Sequence, residues 1–499
     1  MKRKKTTYRS SLAMGVVVFT LLGCNDFLSE VPDNRVSLDD LDKAAQLLTN
    51  AYTDASPAFT DWMTDNVSYT FGVTLRQSHE EAYAWEEISG GPTEQDTPDY
   101  YWFGSYEAIA IANEVLAVID DLPTSNEDDD RRKEAIEAEA LLTRAYAHFM
   151  LVNMFGEHFD ENASNNLGVP YVKTPETVFI QEYERESVSK VYGEVEDDLL
   201  DGLEKVNDNY YNNSGKYHFT RNAALAFASR FYLYKRDYQR SLQYSNELLG
   251  SNPSQFVRDM TSDVFQAAKS SIQGYPQTYS SPDLPSNILL MRKFSLIQRT
   301  DFAHGPSDTE YAELFGQRPF PNSIDERENP ALVKGENGLL PVRYESLFQR
   351  NSLNSNVGFP YHIALAFRGE EILLNRAEIY AIQSNVEACI ADLQIFTDRR
   401  YSGPDTEVTM ERLRAFFGAT NDPDFSDQFI LLNYVLLERQ KEFILQGLRW
   451  FDIKRYSLTI SHLLADGIST IRLEREDPRK VMQIPESAIE VGGLEPNPR

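Results

Sequence analysis

Glu438-Arg439-Gln440-Lys441-Glu442-Phe443-Ile444-Leu445-Gln446-Gly447-Leu448-Arg449-Trp450-Phe451-Asp452-Ile453-Lys454-Arg455 is the stretch on which the fold turns. Its spacing predicts one C-terminal helix with Glu438, Glu442 and Gln446 on a single face, at i, i+4 and i+8. Two carboxylates on one face suit a metal half-site or an acid–base pair. No histidine lies nearby in sequence, however, and Arg439, Arg449 and Arg455 are at hand as counter-charges. Ion pairs that fasten a helix end are the simpler reading.

Outward from this stretch the chain is mainly α. Apolar residues at 3–4 spacing predict helices over about Leu38–Thr53, Asp99–Asp121, Arg131–Phe155, Ser187–Val206, Arg221–Tyr234, Tyr238–Leu249, Gly369–Ile382, Val386–Arg400 and Asp427–Gln446. Ser37 is placed to cap the first. The acidic run Glu127–Asp130 sits where a helix start favours negative charge. Residues 55–97 and 251–366 lose the helical period and fill with Pro, Ser, Gly and Asn. They read as two long irregular regions, and long ordered loops usually carry function. Few segments alternate as strands, and the chain from Asp477 is extended and punctuated by proline.

Two helix pairs have the small and aromatic spacing of tetratricopeptide units. One carries Leu225, Ala228, Ser229, Tyr232, Tyr238, Ser241 and Leu248; the other carries Leu373, Ala377, Tyr380, Cys389, Leu393 and Phe396. Cys389 thereby takes a packing position and reads as a buried, inert thiol.

The run Glu438, Arg439, Glu442, Gly447, Arg449, Trp450, Asp452, Arg455 resembles the signature of the SusD/RagB family, with Gln446 where Glu is usual and Ile453 where Leu is. Trp102-x3-Tyr106-x2-Ile109-x3-Asn113 is similar to the family's early helix. Glu139-Ala-x2-Thr143-Arg144-Ala-Tyr146-x2-Phe149 with Phe155-Gly156 is similar to the next, and Arg221–Leu249 and Ile484-Pro485…Asn497-Pro498 also match. The resemblance implies tetratricopeptide-like helix pairs forming a SusD-like scaffold, with long irregular loop regions that hold the ligand. It implies a lid on a SusC-like TonB-dependent outer-membrane barrel that captures glycan or, in RagB-like members, peptide. No cofactor and no metal are implied.

The N-terminus fits that reading. Lys2, Arg3, Lys4, Lys5 and Arg9 precede an apolar run, Leu12–Leu22, which ends in Leu21-Leu22-Gly23-Cys24. A basic start, a short apolar core and a small residue at the cut mark an export signal over 1–23. Cys24, just past the cut, is the expected acyl acceptor of a lipoprotein, and 24–37 the lipidated tether. The run is short of the ~20 residues a span needs, so the expectation is a chain anchored to the outer membrane and facing the exterior. The folded regions are then 38–250 and 251–499.

A net charge of −29 becomes more negative still once the basic leader goes, so nucleic acid is excluded as a partner. An enzyme is the main rival class, but Gly-x-Ser-x-Gly, His-Glu-x-x-His, a phosphate-binding glycine loop and Cys-x-x-Cys are all absent from the sequence. A glycoside hydrolase needs only two carboxylates without local signature, and stands behind a receptor and a purely structural lipoprotein. The ligand site is expected on the 55–97 loop. Trp62, Tyr69, Tyr83 and Trp85 could stack on sugar faces there, Arg76 and Asn66 could meet hydroxyls, and Tyr311 is a further candidate from the middle region. The competing reading is that these rings pin the loops to the scaffold.

Overall fold

The computed structural model describes residues 38–178, 181–420 and 422–499, apart from the side chain of Asn212. The leader, Ser37 and Cys24 lie outside the described residues. Asp40–Arg499 form one body. In chain order its helices begin with α1 (Leu41–Leu48), α2 (Gln77–Ala84), α3 (Pro98–Val118), α4 (Glu127–Phe155), α5 (Val188–Lys205), α6 (Arg221–Tyr234) and α7 (Tyr238–Leu249). Short helices α8 (Asp263–Ala268), α9 (Gly274–Tyr279) and α10 (Asp308–Gly316) follow. Then come α11 (Gly369–Ile382), α12 (Val386–Thr397), α13 (Met410–Phe416), α14 (Asp427–Glu442), α15 (Arg449–Arg455) and α16 (Glu486–Glu490).

The scaffold is a row of packed helices in which α3, α4 and α5 lead to the pairs α6/α7 and α11/α12, with α14 against α11. At the α6/α7 contact the small residues do what the spacing requires. The Ser229 and Ser245 hydroxyls meet at 2.8 Å, and Ser241 donates to the Ser229 carbonyl at 2.8 Å. Cys389 is fully buried between α11 and α12, and burial pushes its thiol up to about 12. The acidic run opens α4 as expected: Asn126 caps the amides of Asp128 and Asp129, and Glu127–Asp130 form the first turn. Two residues of the quoted motifs bond each other, Arg144 to Asn113 at 2.9 Å, and Arg144 also grips Asp198 at 2.7 and 2.8 Å. One described helix, Pro98–Asp121, is long and apolar enough to cross a membrane. Here it packs against α4, burying Tyr101, Trp102, Ile109, Ala112 and Val115.

Three expectations need correction. The first helix is shorter than Leu38–Thr53, because Asp40 caps it and the chain leaves it at Leu48. The middle region is less irregular than its composition suggests. β1 (Asn287–Phe294) pairs antiparallel with β6 (Gly358–Arg368), and β6 also pairs with β5 (Leu347–Arg350). β1 is buried on both faces over Asn287–Met291, so the alternation that would have announced it is missing. Two-stranded pieces accompany it: β2 (Ile324–Asp325) with β7 (Tyr401–Ser402), β3 (Ala331–Lys334) with β4 (Gly338–Pro341), and β8 (Ile460–Leu463) with β9 (Thr470–Leu473).

The third correction falls on the decisive stretch, which is two helices rather than one. α14 stops at Glu442, and Leu445 (φ 58°) and Gly447 (φ 77°) turn the chain before α15. Gly447 is required, because a Cβ there would lie 2.7 Å from the Pro57 carbonyl oxygen. Glu438 and Glu442 also take counter-charges from other segments. Glu438 pairs with Arg327 at 2.6 Å, and Glu442 with Arg400 at 2.8 Å. Arg439 and Arg455 converge instead on Asp452 and Glu378, and Arg449 on Asp65. Trp450 is fully buried. Surrounding arginines hold the carboxyls of Glu442 and Asp452 far down, to about 2 for Asp452. The motif is a buried ion-pair lattice, with no ligand-facing carboxylate.

Candidate functional site

The same motif sets the floor of the loop region. Gly447 donates its amide to Asp61 at 2.6 Å, and Arg449 grips Asp65 at 2.9 and 2.7 Å. Both acids flank Trp62, which is 1% exposed and packs on His79 with ring centroids 4.1 Å apart. Burial pushes His79 down to about 3, so that ring is neutral. Asn66, expected to meet ligand hydroxyls, is buried and donates to Asp61 at 3.0 Å.

From Ser68 to Thr74 the chain lies across the middle region. Ser68 bridges Gly305, and Thr74 bridges Phe302. Thr70 donates its amide to His304 Nδ1 at 3.1 Å. The β3–β4 hairpin turn closes this seam: Asn337 accepts from the Phe71 amide at 2.9 Å and donates to the Tyr69 carbonyl at 3.0 Å. Beneath it the buried Lys334 donates to the carbonyls of Arg299 (2.8 Å) and Phe302 (2.6 Å), and burial pulls its pKa down to about 7.

α2 follows and ends at Trp85, which takes the left-handed conformation (φ 55°). A ring stack fixes this end. Tyr83 lies between His304 and His462, each with its centroid 4.3 Å away, and Trp85 packs on the far His462 at 4.2 Å. The Tyr83 hydroxyl donates to the Leu463 carbonyl at 2.7 Å, and Trp85 Nε1 to the Met63 carbonyl at 2.8 Å. Both His462 ring nitrogens face carbonyl oxygens, of Tyr83 at 2.7 Å and Thr64 at 2.8 Å. Burial is the larger influence and pushes His462 down.

Between α2 and the β8–β9 turn opens a cleft of about 610 Å³, lined by Tyr69, Glu80, Glu81, Tyr83, Glu86 and Asp466 among others. Tyr69 is half-buried there, its phenol raised by burial and then by the neighbouring Glu80 carboxylate. Glu80 Oε1 sits 2.8 Å from His304 Nε2 without the alignment of a hydrogen bond. Glu81 is held by Gln77 (2.7 Å) and the Ser89 amide (2.5 Å). A second cavity of about 780 Å³ lies on the other side of Glu86, between Trp85, Ile88 and the Arg479–Glu486 segment. A mainly apolar groove of about 630 Å³ runs past Trp102, Phe103, Tyr106 and Tyr183.

The sequence candidates therefore separate. Tyr69 and Tyr83 come together at one cleft, but Tyr83 is 2% exposed and both its faces are covered by histidines, so Tyr69 alone has a ring to offer a ligand. Arg76 is half-buried and does not line this cleft; its guanidinium lies 5.8 Å from the Phe302 ring. Trp62 and Trp85 are core residues whose faces histidines occupy. Tyr311 is 2% exposed, donates to the Glu328 carbonyl at 2.6 Å and packs on Phe315. His304, His462 and Asn337 escaped sequence reasoning. Asn337-Gly338, between two apolar runs, was an available hairpin signal; the lone histidines offered none.

The family model for starch-binding proteins associating with the outer membrane, SusD-like, matches residues 26–233, and the SusD family model matches 350–489. No curated protein sequence matches the chain. Among solved structures, one from Bacteroides vulgatus superposes with a TM-score of 0.68 at 19% identity, covering 93% of this chain and 99% of its own. A SusD-like carbohydrate-binding protein of the same organism gives 0.64 at 17% identity, covering 91% and 97%. A laminarin-binding SusD-like protein gives 0.61 at 16% identity, covering 92% and 99%.

Proposed function

Because this chain belongs to the SusD/RagB family, we propose that it is a cell-surface glycan-binding lipoprotein that hands its ligand to a SusC-like TonB-dependent barrel. The observation that carries the binding site is the Tyr69–Tyr83 cleft, where a half-buried ring stands among Glu80, Glu81, Glu86 and Asp466. A sugar's apolar C–H face stacks on a ring, while carboxylates accept hydrogen bonds from its hydroxyls. The same carboxylates repel uronates and sulfate esters, so the ligand is an uncharged oligosaccharide or polysaccharide. Capture without cleavage is the proposed activity.

Attachment through an acylated Cys24 leaves the folded body outside the bilayer. A hydrophilic glycan cannot cross a membrane unaided, and a closed barrel is the partner class that can carry it. The test is calorimetric titration with laminarin, starch and other neutral and acidic polysaccharides, with reducing ends assayed in parallel. Saturable binding of a neutral glycan without new reducing ends is expected. A folded protein that binds none of them, or that releases reducing ends, refutes the reading.

A further inference from the structure

Two arginines in the core have no carboxylate of their own. Arg343 and Arg368 are 2% and 1% exposed, yet neither forms an ion pair among the described residues. The buried charges around them cancel. Arg327, Arg400 and Lys441 are set against Asp325, Glu438 and Glu442, and Arg258 shares Glu370 with Arg400. Asp61 acts on the Tyr344 phenol, as Arg368 and Arg343 do, and its carboxylate, which accepts from the neutral Gly447 amide and Asn66, offsets one of the two guanidinium charges. Positive charge is left over in a place without water's dielectric, which is costly unless something neutralises it.

The unmet donors gather around two tyrosines. Arg343 spends Nη2 on the Arg327 carbonyl at 2.7 Å and leaves Nη1 buried without an acceptor. Arg258 spends Nη2 on Asn287 at 2.6 Å, and its Nε and Nη1 make no hydrogen bond, although Nη1 is 3.2 Å from Glu370 Oε1. The two guanidinium carbons lie 5.6 and 4.0 Å from the centroid of the same ring, Tyr279. Tyr279 stacks on Tyr275 at 6.1 Å, and the Tyr275 hydroxyl is also buried without a partner. Buried polar groups in folded proteins are nearly always satisfied. Water would satisfy the donors but not the charge.

We propose that a small inorganic monoanion of chloride size binds in the core here, held by Arg258 Nε and Nη1, Arg343 Nη1 and the Tyr275 hydroxyl. Glu370, whose Oε2 is also unpartnered, borders the cluster through Arg258 and bars a multiply charged oxyanion. Arg368 adds a second guanidinium, against which the Asp61 carboxylate stands.

Thermal unfolding, followed as sodium chloride replaces sodium methanesulfonate at constant ionic strength, tests this. Chloride should raise Tm with the logarithm of its concentration, by about 1–3 °C over a hundredfold range above its Kd, and Arg343→Met should remove the response. Bromide should give an anomalous peak between Arg258 and Arg343 in crystals of the unaltered protein, a readout that stands even where the variant fails to fold. A Tm indifferent to chloride, an undiminished response in Arg343→Met, or water density alone at the cluster overturns the proposal.

Discussion

The amide of Gly447 donates to the carboxylate of Asp61 at 2.6 Å, joining two positions separated by 386 residues. Through this bond the C-terminal motif and the 55–97 loop region are one piece of structure.

Gly447→Ala should therefore cost more than a surface glycine would. The residue holds φ 77°, and its new methyl would press on the Pro57 carbonyl. We expect a loss of about 1–3 kcal/mol together with weaker glycan binding, measured by urea unfolding and by calorimetry. An unchanged unfolding midpoint would show that the turn relaxes freely.

Asp61 also predicts a pH signature. Burial pushes its carboxyl up to about 6 from an ordinary 3.8. A carboxyl raised on folding contributes stability that is full below about pH 4 and is lost as pH rises through 6. Asp61→Asn does not ionise, so between pH 4 and 7 it should gain on the wild type by up to about 3 kcal/mol. Histidines that burial pushes down on folding, such as His79 and His148 at about 3, also shift stability in this window because they take up protons in the unfolded chain, which is why the difference between the two proteins is the quantity to measure. A difference that stays flat with pH would mean that Asp61 is not the titrating group.

Ring truncations should sort into two kinds. Tyr69→Ala should weaken glycan binding several-fold, in line with about 0.5–1.5 kcal/mol for a stacking contact, and change Tm little. Trp85→Ala and Trp62→Ala should cost about 3–5 kcal/mol in stability, with any binding loss following from the loosened loop. Normal binding by a well-folded Tyr69→Ala would move the site to the cavity on the other side of Glu86.

At the membrane, Cys24→Ala should abolish labelling by fatty acid and release the protein into the soluble fraction. Mild detergent extraction of the wild type should recover a large β-barrel in near-equal amount. Continued labelling of the variant would refute acylation at Cys24, and recovery of the lipoprotein alone would refute the barrel partnership.

Much of the scaffold was legible because helices announce themselves locally. α6, α7 and α11 begin and end where spacing and caps place them. The break at Leu445–Gly447 was hidden, since the carbonyl that leaves no room for a side chain at Gly447 belongs to Pro57, which no local window contains. Of the rings picked out in the loop, Tyr69 and Tyr83 line one cleft, but Tyr83 and Trp85 looked the same in sequence and were both claimed by His462. Composition can place rings in a loop; which ring faces are already covered depends on partners hundreds of residues away.

The Tyr83 hydroxyl rests on the Leu463 carbonyl, 380 positions further along the chain. A polypeptide made amino end first has α2 long before β8 exists. Its cleft can close only when the last tenth of the chain has arrived. Until then the cleft has no wall at Leu463–Asp466. Truncations just before residue 460 should behave as binding-dead even where the helical scaffold survives.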